Sequence, residues 1–135
     1  MDVDPGNRID LQVARAEFAS VEIARATARQ LAAIHATVAE AWEFPAVVVG
    51  PGDDSDPERI DFAVRAAVAE LATSLGVSEQ TIRARLHEAG ILHTRLGTVW
   101  TQFCEGEISY PNVRVIIEHS VGLPHDPAVW AEYDT

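Results

Sequence analysis

The sequence predicts an all-α fold, with a long N-terminal helix followed by a compact bundle of several helices. Apolar residues recur at intervals of three and four, which is the spacing of one face of an α-helix. Proline, glycine and capping residues divide the chain where helices are expected to begin and end. No stretch alternates apolar and polar residues over a useful length, so β-strands are not expected.

Composition places the chain among single-domain globular proteins. It has 135 residues, of which 47% are apolar, and this supplies enough hydrophobic surface for one core. Cys104 is the only cysteine, so no disulfide forms within the chain and no zinc-finger pattern is present. The N-terminus is acidic, and no apolar stretch approaches the roughly 20 residues that cross a bilayer. We therefore expect a cytoplasmic protein that does not contact a membrane.

The first segment, residues 1–44, is expected to be one long amphipathic helix. Glycine and proline are absent from Arg8 to about Trp42, and apolar residues follow helical spacing there. Those residues are Leu11, Ala14, Phe18, Val21, Ala28, Leu31, Ile34, Val38 and Trp42. A helix of roughly 35 residues is about 50 Å long, which exceeds the width of a compact domain of this size. Either the helix breaks or its protruding end finds a partner.

Residues 45–56 are expected to form an acidic linker rich in glycine and proline. Pro45 ends the first helix, and the stretch from Gly50 to Asp56 is typical of an exposed hinge.

The third segment, residues 57–135, is expected to be a helical domain. Its first helix is predicted from Pro57, capped by Asp56, to about Ser74, with Gly76 closing it.

The remaining helices are each predicted from a capping residue. These residues are Ser78, Ser109 and Asp126. Gly90 is expected to kink or end the helix that Ser78 starts, before an amphipathic pattern resumes as far as Phe103. Val121 is expected to point into the core together with the apolar residues of the Ser109-capped helix. The count is then five or six helices.

The charge of the chain as a whole argues against DNA binding, but one segment is an exception. The formal net charge is −11, and a chain this acidic repels phosphate at long range. Residues 78–103 are the exception, because the basic side chains there outnumber the acidic ones. The basic residues are Arg83, Arg85 and Arg95, and the acidic ones are Glu79 and Glu88.

The stretch 70–92, ELATSLGVSEQTIRARLHEAGIL, has the pattern of a helix-turn-helix-like element. A small residue, Ala72, lets two helices approach, Gly76 allows a tight turn, and Val77 and Ile82 hold the crossing. The spacing of its second helix is similar to that of Fis-type recognition helices. The same pattern also occurs where two helices simply pack together, and that alternative stays open.

If the element contacts DNA, the second helix supplies the contacting side chains. Gln80 is suited to adenine and Arg83 to guanine, while Thr81 or Arg85 would hold phosphate. Arg95 and Arg114 are expected to be outlying phosphate contacts. Double-stranded DNA is the nucleic acid that this arrangement fits.

A wider likeness covers most of the chain, and its specific part is the C-terminal half. The residues that carry it are Glu70-Leu71-Ala72, Leu75, Val77-Ser78, the segment from Ala89 to Leu96 with Arg95-Leu96, Glu105-Gly106-Glu107-Ile108-Ser109, Arg114 and Leu123. In these the chain resembles the 13E12 repeat family, also called domain of unknown function 222. The resemblance implies a DNA-related accessory region, N-terminal to an HNH nuclease domain in actinobacterial proteins. Gly97 stands where that family usually has proline after the Arg-Leu pair, so the local turn is expected to differ.

No catalytic or metal-binding residue is predicted. An HNH site needs histidines and a divalent metal on a hairpin and helix, and the stretch IEHSVGLPHDP offers His119, His125 and Asp126 without a hairpin between them. His119 is expected on a helix surface and His125 in a turn. Cys104 follows Phe103 and is expected in the core. We therefore expect no enzyme activity, no cofactor and no small-molecule substrate in this chain.

Two functions are consistent with the sequence. The first is a non-catalytic helical domain of an HNH-associated protein that positions DNA through the residues named above. The second is an acidic interaction module without DNA contact, in which the long first helix pairs with a second copy to give a homodimer.

Overall fold

The computed structural model describes residues 4–135, and the first three residues of the predicted segment 1–44 lie outside that range. Within the described residues the chain forms seven α-helices and no strand, which confirms the all-α prediction. The helices are α1 (Pro5–Glu43), α2 (Pro45–Val49), α3 (Pro57–Leu75), α4 (Glu79–Arg95), α5 (Gly97–Cys104), α6 (Tyr110–Ser120) and α7 (Pro127–Asp134).

Helix α1 is one helix of 39 residues and does not break. Its pattern of burial changes along its length. Every described residue up to Ser20 is exposed, whereas Ala24, Ala28, Leu31 and Ile34 are buried. Within the described residues, the apolar side chains of the first turns are therefore not part of a core.

The predicted linker 45–56 begins with a helical turn, which the sequence did not indicate. Proline fits the first position of a helix because its φ is already helical and its missing N–H has no partner there. Pro45 takes that position in α2 and is buried. Arg59 of α3 donates from Nη2 to the carbonyl of Gly50 at 2.6 Å. This part of the predicted hinge is therefore packed against α3.

Helix α3 matches its prediction at both ends. The carboxylate of Asp56 accepts a hydrogen bond from the backbone N–H of Glu58 at 3.0 Å, and proline follows the cap. At the other end Gly76 has φ +67°, a left-handed conformation that suits glycine at a helix C-terminus.

The prediction that Gly90 kinks or ends its helix is wrong as to the end, because α4 runs from Glu79 to Arg95 as one element. The interruption comes instead at Leu96, which has φ −126° and separates α4 from α5. A single glycine costs a helix about 1 kcal/mol, and neighbouring helical residues outweigh that cost here. Gly97 is the first residue of α5, a position that proline also favours in helices generally.

Side-chain caps and hydrogen bonds fix the C-terminal helices. Ser109 and Asp126 cap α6 and α7 as predicted. Asp134 of α7 accepts the backbone N–H groups of Thr98 and Val99 at 2.7 and 2.9 Å, and so caps α5. Trp130 donates its indole N–H to the carbonyl of Pro124 at 2.9 Å.

Two burial predictions in this region are wrong. Val121 follows the end of α6 and is 76% exposed, because the helix ends at Ser120 and its inward spacing does not continue. Cys104 is exposed although Phe103 beside it is fully buried, since successive helical residues point about 100° apart.

The contacts group the chain into two compact units, residues 4–29 with Leu92–Thr135 and residues Gln30–Ile91. The core of the second unit contains Ile34, Val68, Ala72 and Ile82, with a smaller group around Ala63. In the first unit the buried side chains include Leu96, Phe103, Val113, Ile117 and Trp130. These units follow boundaries other than 44/45 and 56/57, and the division into segments at those points stays a prediction.

Candidate nucleic-acid interface

The turn between α3 and α4 holds the start of α4 in a fixed position. The N–H of Val77 bonds the carbonyl of Ala72 at 3.0 Å, which closes the end of α3 around the left-handed Gly76. Ser78 then caps α4, since its Oγ accepts the N–H of Thr81 at 3.1 Å. Ile82 is fully buried in the cluster with Val68 and Ala72. A helix, a three-residue turn and a second helix therefore occupy the predicted stretch.

The face of α4 that points away from this core carries Gln80, Arg83 and His87. All three are exposed, and the spacings of three and four residues place them in one row along the helix. Within residues 4–135 none of the three side chains makes a hydrogen bond or an ion pair. Ala84 lies beside the row and is exposed with a small side chain. We call Gln80, Arg83 and His87 the α4 row.

Sequence reasoning missed His87 as a member of this row. The positions 80, 83 and 87 follow the i, i+3, i+7 spacing of one helical face, and this spacing could have found the residue.

Two of the residues predicted to contact DNA make hydrogen bonds within the protein instead. The hydroxyl of Thr81 is 2.9 Å from the hydroxyl of Ser78, within the cap of α4, and Thr81 is half-buried. Arg85 is also half-buried, and its Nη1 donates to Oε1 of Gln30 on α1 at 3.1 Å. A guanidinium that bonds the helix beneath it is turned away from the row. Neither residue is presented beside Gln80 and Arg83.

The outlying arginines lie in the other compact unit, on aromatic rings. The guanidinium of Arg95 is 4.8 Å from the ring centre of Trp130, and that of Arg114 is 5.9 Å from the ring centre of Tyr110. Both residues are exposed.

Arg95 also lies on the wall of a cavity of about 450 Å³, and His93, His125 and Trp130 share that wall. The single carboxylate at this wall, that of Asp134, already accepts two backbone N–H groups at the start of α5. A carboxylate in that role is a helix cap.

His119 and His125 are exposed, on helix α6 and in the turn before α7, as the sequence predicts. Among residues 4–135 no three histidine, cysteine, aspartate or glutamate side chains come together in a way that could hold a metal ion. In the same part of the chain, none of the helices combines the length and the apolar character needed to traverse a bilayer.

Comparison with known proteins gives one match. A family model described as domain of unknown function (DUF222) matches residues 18–133, which is most of the chain. No curated protein and no solved structure matches it.

Proposed function

Since the chain belongs to the family described as domain of unknown function (DUF222), we propose that it is a non-catalytic domain in which α4 contacts double-stranded DNA. The observation that carries the proposal is the α4 row. Gln80 and Arg83 stand exposed and without hydrogen bonds on the first turns of a helix that follows a tight turn. A helix presented in this way is the element that helix-turn-helix proteins insert into the major groove.

The chemistry of the row suits base edges. A guanidinium donates two parallel hydrogen bonds to guanine, and a side-chain amide pairs with adenine through one donor and one acceptor. The ring nitrogens of His87 can form hydrogen bonds to a phosphate or a base. Neither Gln80 nor Arg83 has to break an internal bond before it binds.

Charge sets the strength of the proposed contact. Glu79 is exposed beside the row, and the chain carries a formal net charge of −11. Because few phosphates are neutralised, we expect weak binding with a small dependence on salt, a log–log slope of magnitude about 1 to 3. Such a domain positions DNA for another activity. The 13E12-type arrangement, in which an HNH nuclease domain in an actinobacterial protein supplies that activity, fits this role as part of the proposal.

The test measures binding to a random duplex by fluorescence anisotropy at low salt. Arg83→Ala is the test variant, and Arg65→Ala is a charge-matched control in the same compact unit. Arg65 is exposed on α3 and pairs with Asp61 at 3.1 Å, so its loss removes one positive charge away from the row. We expect Arg83→Ala to weaken binding about tenfold, because a hydrogen bond from a charged group contributes about 1.5 kcal/mol or more. We expect Arg65→Ala to change the affinity by less than about threefold, because Arg65 is an exposed charge away from the α4 row and salt screens such charges.

No binding at low salt, or equal losses in the two variants, would overturn the proposal. The second candidate, an acidic interaction module without DNA contact, would then be favoured. A specific observation supports it. Large apolar side chains on the first turns of α1, among them Ile9 and Phe18, are 65% and 64% exposed.

A further inference from the structure

The first turns of α1 carry an apolar stripe that is exposed among residues 4–135. Ile9, Val13 and Ile23 are 65%, 50% and 65% exposed, and Ala16 and Ser20 between them are exposed as well. These five residues follow one another at intervals of four, three, four and three. This is the seam spacing of a coiled coil. We call the five residues the α1 seam.

Over residues 23–28, the face by which α1 packs within its own chain lies beside the seam. Ile23 is exposed, whereas the next residue, Ala24, is 3% exposed, and Ala28 is buried on the same side as Ala24. Residues 5–20 are all exposed, and an isolated helix of that length is marginal in water. Contact with another chain along the seam would stabilise it.

We propose that the α1 seam binds the same seam of a second copy of this chain, with the two helices parallel. A seam with heptad spacing and no charged residue is complementary to itself, because each side chain inserts between equivalent residues of an identical helix. Ala16 and Ser20 are small and allow the helices to approach at the middle of the seam. The partner is thus defined by the same five residues.

The charges beside the seam decide the direction. Asp10 and Glu17 flank one edge, and Gln12 and Ala19 flank the other. Parallel helices place the acidic edge of each copy against the uncharged edge of the other, so that Gln12 faces Glu17 of the second copy. Antiparallel helices place acidic edge against acidic edge, and like charges repel.

The seam spans roughly 21 Å at 1.5 Å per residue, which is short for a stable interface. We therefore expect reversible pairing that depends on protein concentration. The pairing does not rest on the proposed DNA contact, which concerns α4, so either proposal can fail while the other holds.

The experiment is sedimentation equilibrium over a wide range of concentrations, with Val13→Glu as the test variant and Leu11→Glu as its matched control. Leu11 is 52% exposed, close to Val13 in exposure and position, but lies off the seam. We expect the wild-type chain and Leu11→Glu to show a dimer at high concentration and Val13→Glu to lose it. Circular dichroism of each variant checks that the helices are retained.

Cross-linking tests the direction of the helices. In a Cys104→Ser background, Val13→Cys should form a disulfide-linked dimer on mild oxidation, and Leu11→Cys should form much less. Only parallel, in-register helices bring two copies of residue 13 within disulfide range. A wild-type chain that stays monomeric at every concentration would overturn the proposal, as would equal dissociation by Val13→Glu and Leu11→Glu. A dimer without the residue-13 cross-link would refute the parallel direction.

Discussion

Gly106 lies in the turn between α5 and α6, at a point where α1 passes close to the backbone. Its φ is +80°, in the region that favours glycine. A Cβ at this position would lie 2.6 Å from Cγ1 of Val21 and 3.0 Å from the carbonyl oxygen of the same residue. Arg25 fixes the approach, since its Nε donates to the carbonyl of Glu105 at 3.0 Å. Gly106→Ala should therefore destabilise the fold.

The expected loss combines two effects. A left-handed conformation costs a residue with a Cβ about 1 to 2 kcal/mol. An extra carbon in a closed contact costs about 1 to 3 kcal/mol, and part of this stays even if the Val21 side chain moves, because the carbonyl oxygen is backbone. Alanine restricts the unfolded chain and returns about 0.4 to 1 kcal/mol. We expect Gly106→Ala to lower the free energy of unfolding by about 2 to 4 kcal/mol.

Urea unfolding followed by circular dichroism measures this loss, and Gly90→Ala is the control. Gly90 lies within α4 with open space around its Cα, so alanine there should raise the free energy of unfolding by about 0.5 to 1 kcal/mol. The same substitution is also made in a Val21→Ala background, which removes the overlap with Cγ1. Gly106→Ala should lower the free energy of unfolding by less in that background than in the wild type. A Gly106→Ala protein as stable as the wild type would refute this account of the turn.

Three further predictions concern single side chains. Asp134→Ala leaves two N–H groups at the start of α5 without their cap, so the free energy of unfolding should fall by about 1 to 2 kcal/mol in urea titration; no change would show that the cap is dispensable. Arg85→Ala should cost about 1 kcal/mol because it breaks a half-buried hydrogen bond, whereas Arg83→Ala should stay within about 0.5 kcal/mol; the reverse order in the same titration would contradict the placement of the two side chains. Partial desolvation and then the charge of Glu105 raise the pKa of the Cys104 thiol, so the pH profile of its alkylation should lie above that of a free cysteine peptide, and a profile at or below the peptide's would contradict this.

Local chemistry explains which helices the sequence could predict. Asp56, Ser78, Ser109 and Asp126 each cap a helix as predicted, because capping depends only on the residue and the three positions after it. The end of α3 follows equally from Gly76, since a left-handed residue at a helix end is a local requirement.

The remaining features depend on contacts between distant parts of the chain. Arg85 was predicted as a phosphate contact because it is a basic residue on the second helix of the element. In the structure its side chain donates a hydrogen bond to Gln30, which lies 55 residues away in the sequence. The cap of α5 likewise comes from Asp134, 36 residues beyond Thr98, so no local pattern could reveal it. The spacing of apolar residues predicted the long helix, but it could not show that the side chains of the first turns are exposed.

The most direct test of DNA contact by the α4 row is the salt dependence of binding to a random duplex. The logarithm of the association constant is plotted against the logarithm of salt concentration for the wild type, Arg83→Ala and Arg65→Ala. If Arg83 lies in the groove, its positive charge displaces about one counterion from the nearby phosphates even when its hydrogen bonds go to a base. Its removal should then reduce the magnitude of the slope by about 0.9, while the Arg65→Ala slope stays at the wild-type value. Binding without salt dependence, or the same slope in all three proteins, would contradict the account.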